Sequence, residues 1–587
     1  MSSEEVRRTV AESWARRFDK KREAEDEPPK EAVGVEVSKS NIESERELPI
    51  PKRQKKAIEP KEEVIEILSD EEELSPTDNS SSEEPIEIIS DVEEVVVPDK
   101  PIRNEQIRTS KTIQSPQKKK KQISPPFLPI HNPLYDNPKL PNSVIISDVL
   151  SSPNLRSCYL FSYQHDLEFI LPQFHSNNID LTIVYQTGTV LDSPKRALFR
   201  NVQFIEVAMP PYSSHHPKLI INVYNDDTVQ LFLVSCNMTF MEWSTNNQMI
   251  WQSPRLHKDL NSKDTVFKTH LFNYIKNYQK PQLDTLVVLL KKYDFNSIIG
   301  DFVSSATSTS DKFGFWGLYN SLLSKGLIPR KHEKERQLLY QTSSIASAIR
   351  HTPTINQSAN IFTHLLLPLF SGKYTNHGRL SISRDFPLSN GFISVEQFSK
   401  EYKVKPYIIY PSLSDVRNSL FGYGSGGWSH FNPHSKWNKP MNDFLTPKVF
   451  HHSYSQQRKT NPSHTKFLIM SSDNFKTLDW VFFTSTNMSK QAWGTPPTKK
   501  DLLSLPPKSN VSNYETGILL CPSDYGSGIK FIPLEFGQEK NLEENEVPIY
   551  LPFRLPPEKY SNQDEPWCVS KSHDLPDILG NLHVVNN

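Results

Sequence analysis

The residues that decide the fold are His216-Pro217-Lys218, the apolar run Leu219–Tyr224 behind them, and Phe232-Leu233-Val234-Ser235-Cys236-Asn237-Met238-Thr239 with Trp243 beyond. The same order returns far down the chain: His464-Thr465-Lys466, the apolar run Phe467–Met470, then Phe482-Phe483-Thr484-Ser485-Thr486-Asn487-Met488-Ser489 and Trp493. In both copies Ser-x-Asn-Met-[Ser/Thr] is followed by Trp six residues after the Asn, and the Lys-to-Asn separations are 19 and 21 residues. A lone His-x-Lys says little, because His332-Glu333-Lys334 and His434-Ser435-Lys436 share the spacing without either downstream element. Several features coinciding twice read as one half-site present in two copies.

The chemistry follows from the spacing. His and Lys two apart on a strand project from one face, so an imidazole and an ammonium converge on a point suited to a phosphate. The Asn at the end of the next strand adds an amide donor for a non-bridging oxygen. Two such half-sites facing each other place two His, two Lys and two Asn around one phosphorus. One imidazole can attack while the other handles the leaving-group proton. The fixed donors stabilise the charge of a five-coordinate transition state, so neither a metal nor another cofactor is called for.

Around this repeat the chain divides by composition. Residues 1–130 hold 23 Lys and Arg against 30 Asp and Glu, leaving 44 against 38 for the rest, so the overall charge of −1 hides an acidic tail and a mildly basic body. A basic surplus with every His in the body suits a phosphate-bearing partner bound locally, not a chain that coats nucleic acid. The tail is rich in Glu, Lys, Ser and Pro and is expected to be disordered. Within it Val6, Val10, Trp14 and Phe18 recur every four residues, a pattern for an amphipathic helix. Lys52-Arg53-Gln54-Lys55-Lys56 and Lys118–Lys121 read as nuclear import signals, which places the protein in the nucleus. In 64–73 and 86–94, Val64-Ile65-Glu66-Ile67-Leu68 and Ile86-Glu87-Ile88-Ile89 each abut an acidic run. Both resemble SUMO-interacting motifs, which add as a strand to a partner's sheet edge.

The body interleaves strands such as Thr182–Tyr185, Leu219–Tyr224 and Val229–Val234 with helical patterns at Val266–Tyr278 and Leu283–Tyr293, an α/β organisation. The four Cys are far apart and form neither a disulfide framework nor a zinc knuckle. No apolar run reaches the roughly 18 residues of a membrane span, and no phosphate-cradling glycine loop follows a strand. The expected division is a tail over 1–130 and halves over 131–335 and 336–587.

The paired constellation is the signature of the phospholipase D superfamily, whose motif usually carries an Asp five residues after the Lys. Here those positions are Val223 and Ser471. With both Asp absent, the chain resembles the tyrosyl-DNA phosphodiesterases, a likeness extended by Pro211–His216, Gln341–Ser347, Asn487–Gly494, Tyr514–Gly517 and Pro566-Trp567. The resemblance implies two phospholipase D-like α-β-α sandwich halves related by a pseudo-twofold. It implies His216 as nucleophile, His464 as general acid then base, and Lys218, Lys466, Asn237 and Asn487 as phosphate ligands. Gln248 and Glu515 would orient the two imidazoles in place of the missing Asp. Tyr212 would stack on a DNA base, and Ser343, Ser344, Ser347, Ser489 and Lys490 would hold the DNA backbone. The contact made by Trp428, where the family has a smaller polar residue, is left open. The implied reaction is hydrolysis of 3′-phosphotyrosyl and other 3′-blocked DNA ends, with a topoisomerase I-derived peptide as leaving group. A nuclease or phospholipase of the superfamily, or a non-catalytic SUMO-binding scaffold, are the alternatives.

Overall fold

A computed structural model describes residues 123–132, 136, 142–329, 334–348, 360–372, 375–376, 379–380, 399–400, 402–436, 438–452, 458, 461–495, 508–535 and 541–585. The amphipathic pattern, the import signals and both SUMO-type segments of the tail lie outside these residues.

Two sheets dominate. In the first, β1 (Phe127–Pro129), β2 (Leu155–Ser162), β3 (Asp180–Gln186), β4 (Asn201–Val207), β5 (Lys218–Tyr224), β6 (Thr228–Val234) and β7 (Met249–Gln252) lie in the spatial order β1-β7-β6-β5-β2-β3-β4. In the second, β8 (Asp301–Ser305), β9 (Arg336–Gln341), β10 (Val404–Ile409), β11 (Phe450–His451), β12 (Phe467–Ser471), β13 (Trp480–Thr484) and β14 (Glu515–Leu520) lie in the order β8-β14-β13-β12-β9-β10-β11. The two orders superpose strand for strand, as do the directions: the three strands that begin each sheet's βαβ side run parallel, and the remaining neighbours antiparallel. The repeat read from the sequence is thus a repeat of whole half-domains.

Period-two alternation sorts each strand's side chains between two layers. Leu219, Ile221, Leu231 and Leu233 from the first sheet, and Phe467, Ile469, Val481 and Phe483 from the second, face one shared central core with α2 (Val266–Lys276) and α3 (Pro281–Leu290). Their neighbours Ile220, Phe232 and Val234 face an outer core in the first half, and Leu468, Met470 and Phe482 face another in the second, where α4 (Gly314–Ser324) packs. Because both sheets are covered on both faces, the central strands are continuously apolar, as the sequence shows.

Two boundaries differ from those expected. β8 pairs antiparallel with β14, so the second sheet begins upstream of residue 336. β1, inside the segment taken as tail, pairs with β7, and its fully buried Phe127 packs on Phe467 and Phe483 with ring centroids 5.6 and 5.4 Å apart. Each is a short edge strand, stabilised by tertiary contacts rather than by a local pattern. The four Cys are buried and free.

Candidate active site

Each His stands just before its strand, and each half's His is held by the other half. The His216 N–H donates to the Tyr514 carbonyl (2.9 Å) and the His464 N–H to the Asn247 carbonyl (3.3 Å). These crossed links bring the ends of β5, β12, β7 and β14 to a common point. Lys218 and Lys466 are fully buried, and each Nζ donates to the carbonyl of the His two residues before it, at 3.3 and 2.6 Å. A buried ammonium is costly unless charge is nearby; here Glu242 and Glu515 supply it. Burial still lowers Lys218 below its ordinary value, and burial together with the Lys218 charge holds Lys466 well below.

The loops after β2 and β9 cradle the two Asn in matching fashion. The Ser162 hydroxyl donates to Asn237 Oδ1 (3.2 Å). Thr342 Oγ1, the Ser343 N–H and Ser343 Oγ donate to Asn487 Oδ1 at 3.2, 3.3 and 3.2 Å. With Oδ1 so occupied, Asn487 has Nδ2 to offer a phosphate oxygen.

Both imidazoles are backed by a carboxylate. His216 Nδ1 lies 2.9 Å from Glu515 Oε2, which also accepts from Ser485 Oγ (2.6 Å). His464 Nδ1 lies 3.0 Å from Glu242 Oε2, and Gln248 Nε2 stands farther off at 3.5 Å. Because Ser235 Oγ donates to Gln248 Oε1 (2.5 Å), the Gln amide presents N–H to His464, and Nδ1 cannot accept there while donating to Glu242. The shorter, charged contact decides for Glu242. Gln248 is therefore in the site, but the partner of His464 is a residue the sequence reading passed over. Thr239-x-x-Glu242 has the form of a helix capping box, and the Thr239 hydroxyl does accept from the Glu242 N–H at the start of α1 (Phe240–Thr245). The Glu242 side chain turns instead to His464 and Asn237. Burial would push this carboxyl up, but His464, Lys218 and the Asn237 N–H outweigh it and hold it below the usual carboxylate range.

Burial and the Lys218 charge lower His216 against the pull of Glu515; burial and Lys466 push His464 down to about 3 against the pull of Glu242. With Nδ1 of each ring on a carboxylate, Nε2 is the atom left for chemistry.

The expected DNA-contacting residues separate into two groups. Ser343 and Ser344 lie in the Asn487 cradle, Ser344 Oγ donating to the His430 carbonyl (3.3 Å). Ser489 caps α5 (Lys490–Trp493), its hydroxyl accepting from the Ala492 N–H (3.2 Å), and Lys490 at the first position of that helix is exposed. Ser347 is exposed farther along its loop. Tyr212 is 94% exposed with φ of 62°, a strained left-handed conformation for an aromatic residue, and no core contact explains its ring. Trp428 does have a place: it packs with Met241 and Phe421, its ring centroid 6.1 Å from that of His464. Tyr163, not singled out in the sequence, lies with its ring 6.0 Å from that of His216.

A doubled α/β fold with two His, two Lys and two Asn at the junction of its halves is the arrangement of a phosphodiesterase with two half-sites. A family model described as tyrosyl-DNA phosphodiesterase matches residues 130–561. "Tyrosyl-DNA phosphodiesterase 1" of Saccharomyces cerevisiae is 30% identical over 459 residues, 73% of this chain and 80% of that protein. "Probable tyrosyl-DNA phosphodiesterase" of Schizosaccharomyces pombe is 21% identical over 524 residues, 74% of this chain and 91% of that protein. The crystal structure of the yeast tyrosyl-DNA phosphodiesterase superposes with a TM-score of 0.61 at 29% identity, covering 76% of this chain and 99% of that one. The chain belongs to the tyrosyl-DNA phosphodiesterase family.

Proposed function

We propose that this protein hydrolyses the bond between a DNA 3′-phosphate and the tyrosine of a trapped topoisomerase I peptide, and related 3′ blocks, as a nuclear DNA-repair enzyme. The observation that carries the reading is the pair of imidazoles, each with Nδ1 on a carboxylate (2.9 and 3.0 Å), beside two buried ammoniums. The Nε2 lone pair of His216 attacks phosphorus and the P–O bond to tyrosine breaks, while His464 Nε2–H protonates the departing phenolate. The product is a phosphohistidine at His216 and a free tyrosyl peptide. His464, now neutral, takes a proton from water; the hydroxide attacks phosphorus, the P–N bond breaks, and a 3′-phosphate end leaves. Lys218, Lys466, Asn237 and Asn487 hold the non-bridging oxygens through both steps. Ser343, Ser344, Ser347, Ser489 and Lys490 position the DNA backbone, and Tyr212 offers a face to an unpaired base.

The test uses an oligonucleotide with a 3′-phosphotyrosine. The wild-type protein converts it to the 3′-phosphate, and EDTA leaves the rate unchanged, because donors on the chain supply the charge a metal would bring. His216→Ala forms no covalent species. His464→Ala reacts once and accumulates an acid-labile DNA adduct on His216, since a phenol leaves without full protonation whereas water needs the base. An adduct mapped to His464 would reverse the two roles, and EDTA-sensitive turnover or hydrolysis only of lipid or internal DNA phosphodiesters would replace this reading with another superfamily chemistry.

The tail segments 64–73 and 86–94 are proposed to recruit SUMO or sumoylated proteins. Replacing Ile65, Ile67, Leu68, Ile86, Ile88 and Ile89 by Ala should abolish SUMO binding in titration and leave oligonucleotide turnover unchanged.

A further inference from the structure

Behind the two imidazoles the half-sites repeat one set of bonds until His464 itself is reached. Ser485 Oγ donates to Glu515 (2.6 Å) and accepts from the Thr516 N–H (3.0 Å); Ser235 Oγ donates to Gln248 (2.5 Å) and accepts from the Met249 N–H (2.9 Å). The bridges His215 to Tyr514 and Ser463 to Asn247 flank these pairs identically. Gln248 is therefore the counterpart of Glu515, and a symmetric site would leave His464 with a neutral amide as its partner. Glu242 breaks the symmetry. Its own counterpart is Ala492: both are the third residue of a short helix, with N–H groups donating to the capping hydroxyls of Thr239 (3.4 Å) and Ser489 (3.2 Å).

Glu242 holds more than one group. Oε2 lies 3.0 Å from His464 Nδ1 and accepts from the Asn237 N–H (2.7 Å), while Oε1 accepts from Asn237 Nδ2 (2.6 Å). One fully buried carboxylate thus ties the imidazole of one half to the phosphate-ligand Asn of the other.

We infer that Glu242 is the positioning residue for His464 and Asn237, and that it, rather than Gln248, equips His464 to carry the proton in both steps. The inference rests on the acid–base reading of His464 given above. With Nδ1–H committed to Glu242, the exchangeable proton sits on Nε2, facing the leaving oxygen. The carboxylate stays ionised throughout: in the first step Nε2 releases its proton and the ring becomes neutral, in the second Nε2 gains one from water and the imidazolium forms beside Glu242. Loss of the negative charge would disfavour each protonated state of His464 without removing a substrate contact. The fixed Asn237 keeps its donor at the same spot whether or not phosphate is bound.

The test is Glu242→Gln, which preserves shape, alongside Gln248→Glu and the double variant, assayed on the 3′-phosphotyrosyl oligonucleotide with melting temperature as a fold control. Glu242→Gln should lower kcat about 10- to 100-fold with KM little changed. Its alkaline kcat limb should move to lower pH, because the proton on His464 has lost its counter-charge. Gln248→Glu in the same chain restores a carboxylate near Nδ1 and should recover both rate and pH profile in part. Should Glu242→Gln not fold, Gln248→Glu alone still decides: a second carboxylate must move the alkaline limb upward. Wild-type kcat and pH profile in Glu242→Gln, a loss of rate with an unmoved profile, or no response to Gln248→Glu would each overturn the inference. These failures are distinct from failure of the acid–base reading, which would show as absence of the covalent adduct in His464→Ala.

Discussion

His464 can serve as an acid only as an imidazolium, and its surroundings oppose that form. Burial and the Lys466 ammonium push it down to about 3, so it carries no extra proton at neutral pH. An oxyanion placed between Lys218 and Lys466 offsets the positive field that depresses the ring, and the imidazolium becomes accessible when a phosphodiester is bound. Binding of a phosphate-like anion should therefore take up protons. Calorimetric titration with tungstate near neutral pH, in buffers of different ionisation enthalpy, should show net uptake. The uptake should shrink in His464→Ala. Binding without proton exchange would mean that the acid must be charged from another source. At the same scale, the two His, two Lys and two Asn that meet at the junction were legible by type and spacing, because those groups recur within one strand-turn-strand unit. Glu242 escaped because its spacing from Thr239 fits a local cap equally well.

Among the elements, one imidazole joins two carboxylates that are far apart in the chain, one of them in the C-terminal segment. His452 Nδ1 lies 3.0 Å from Asp415 Oδ2, and Nε2 lies 3.3 Å from Asp564 Oδ2. Only the doubly protonated ring donates to both carboxylates at once. Burial alone would lower His452, but Asp415 and Asp564 outweigh it and hold it above its ordinary value. A group raised on folding stabilises most below its unfolded value, about 6.5, and the stabilisation fades as pH climbs through the folded one. His452→Gln should accordingly cost on the order of 1 kcal/mol near pH 6 and little near pH 9. Thermal melting of both proteins across that range checks it; a constant difference would mean that packing against Tyr560, not charge, is what His452 contributes. The edge strands β1 and β8 belong to this scale too. Three to five residues with no turn of their own carry too little periodicity to be seen before the sheet they complete is known.

For the whole molecule, function depends on two halves meeting in one register. Arg458, from the second half, is buried against the first: its guanidinium pairs with Asp136 and donates to the Ile130 carbonyl (3.2 Å) and to Asn247 Oδ1 (3.4 Å). The Asn247 carbonyl in turn holds the His464 N–H, so the clamp bears on the backbone at His464. Arg458→Ala should destabilise the protein by about 3–5 kcal/mol in chemical denaturation, because the Asp136 carboxylate is left buried without its partner. Arg458→Met with Asp136→Leu should regain much of that stability. If activity falls in the double variant while stability returns, the pair matters for register as well as for folding.

By itself the sequence determined that the chain is duplicated, that each copy carries the same His, Lys and Asn at matching spacing, and which family it resembles. Those features are local: alternation along a strand and the fixed distance to the next strand end place the groups whatever else the chain does. Where the halves divide, which strand closes each sheet, and what Trp428 touches were decided by tertiary structure, since the contacts involved span hundreds of residues. The sharpest case is Glu242. Glu242 is the one acid between Asn237 and Gln248, but nothing local aims its side chain across the junction, and only the meeting of the two halves brings His464 Nδ1 within 3.0 Å of it.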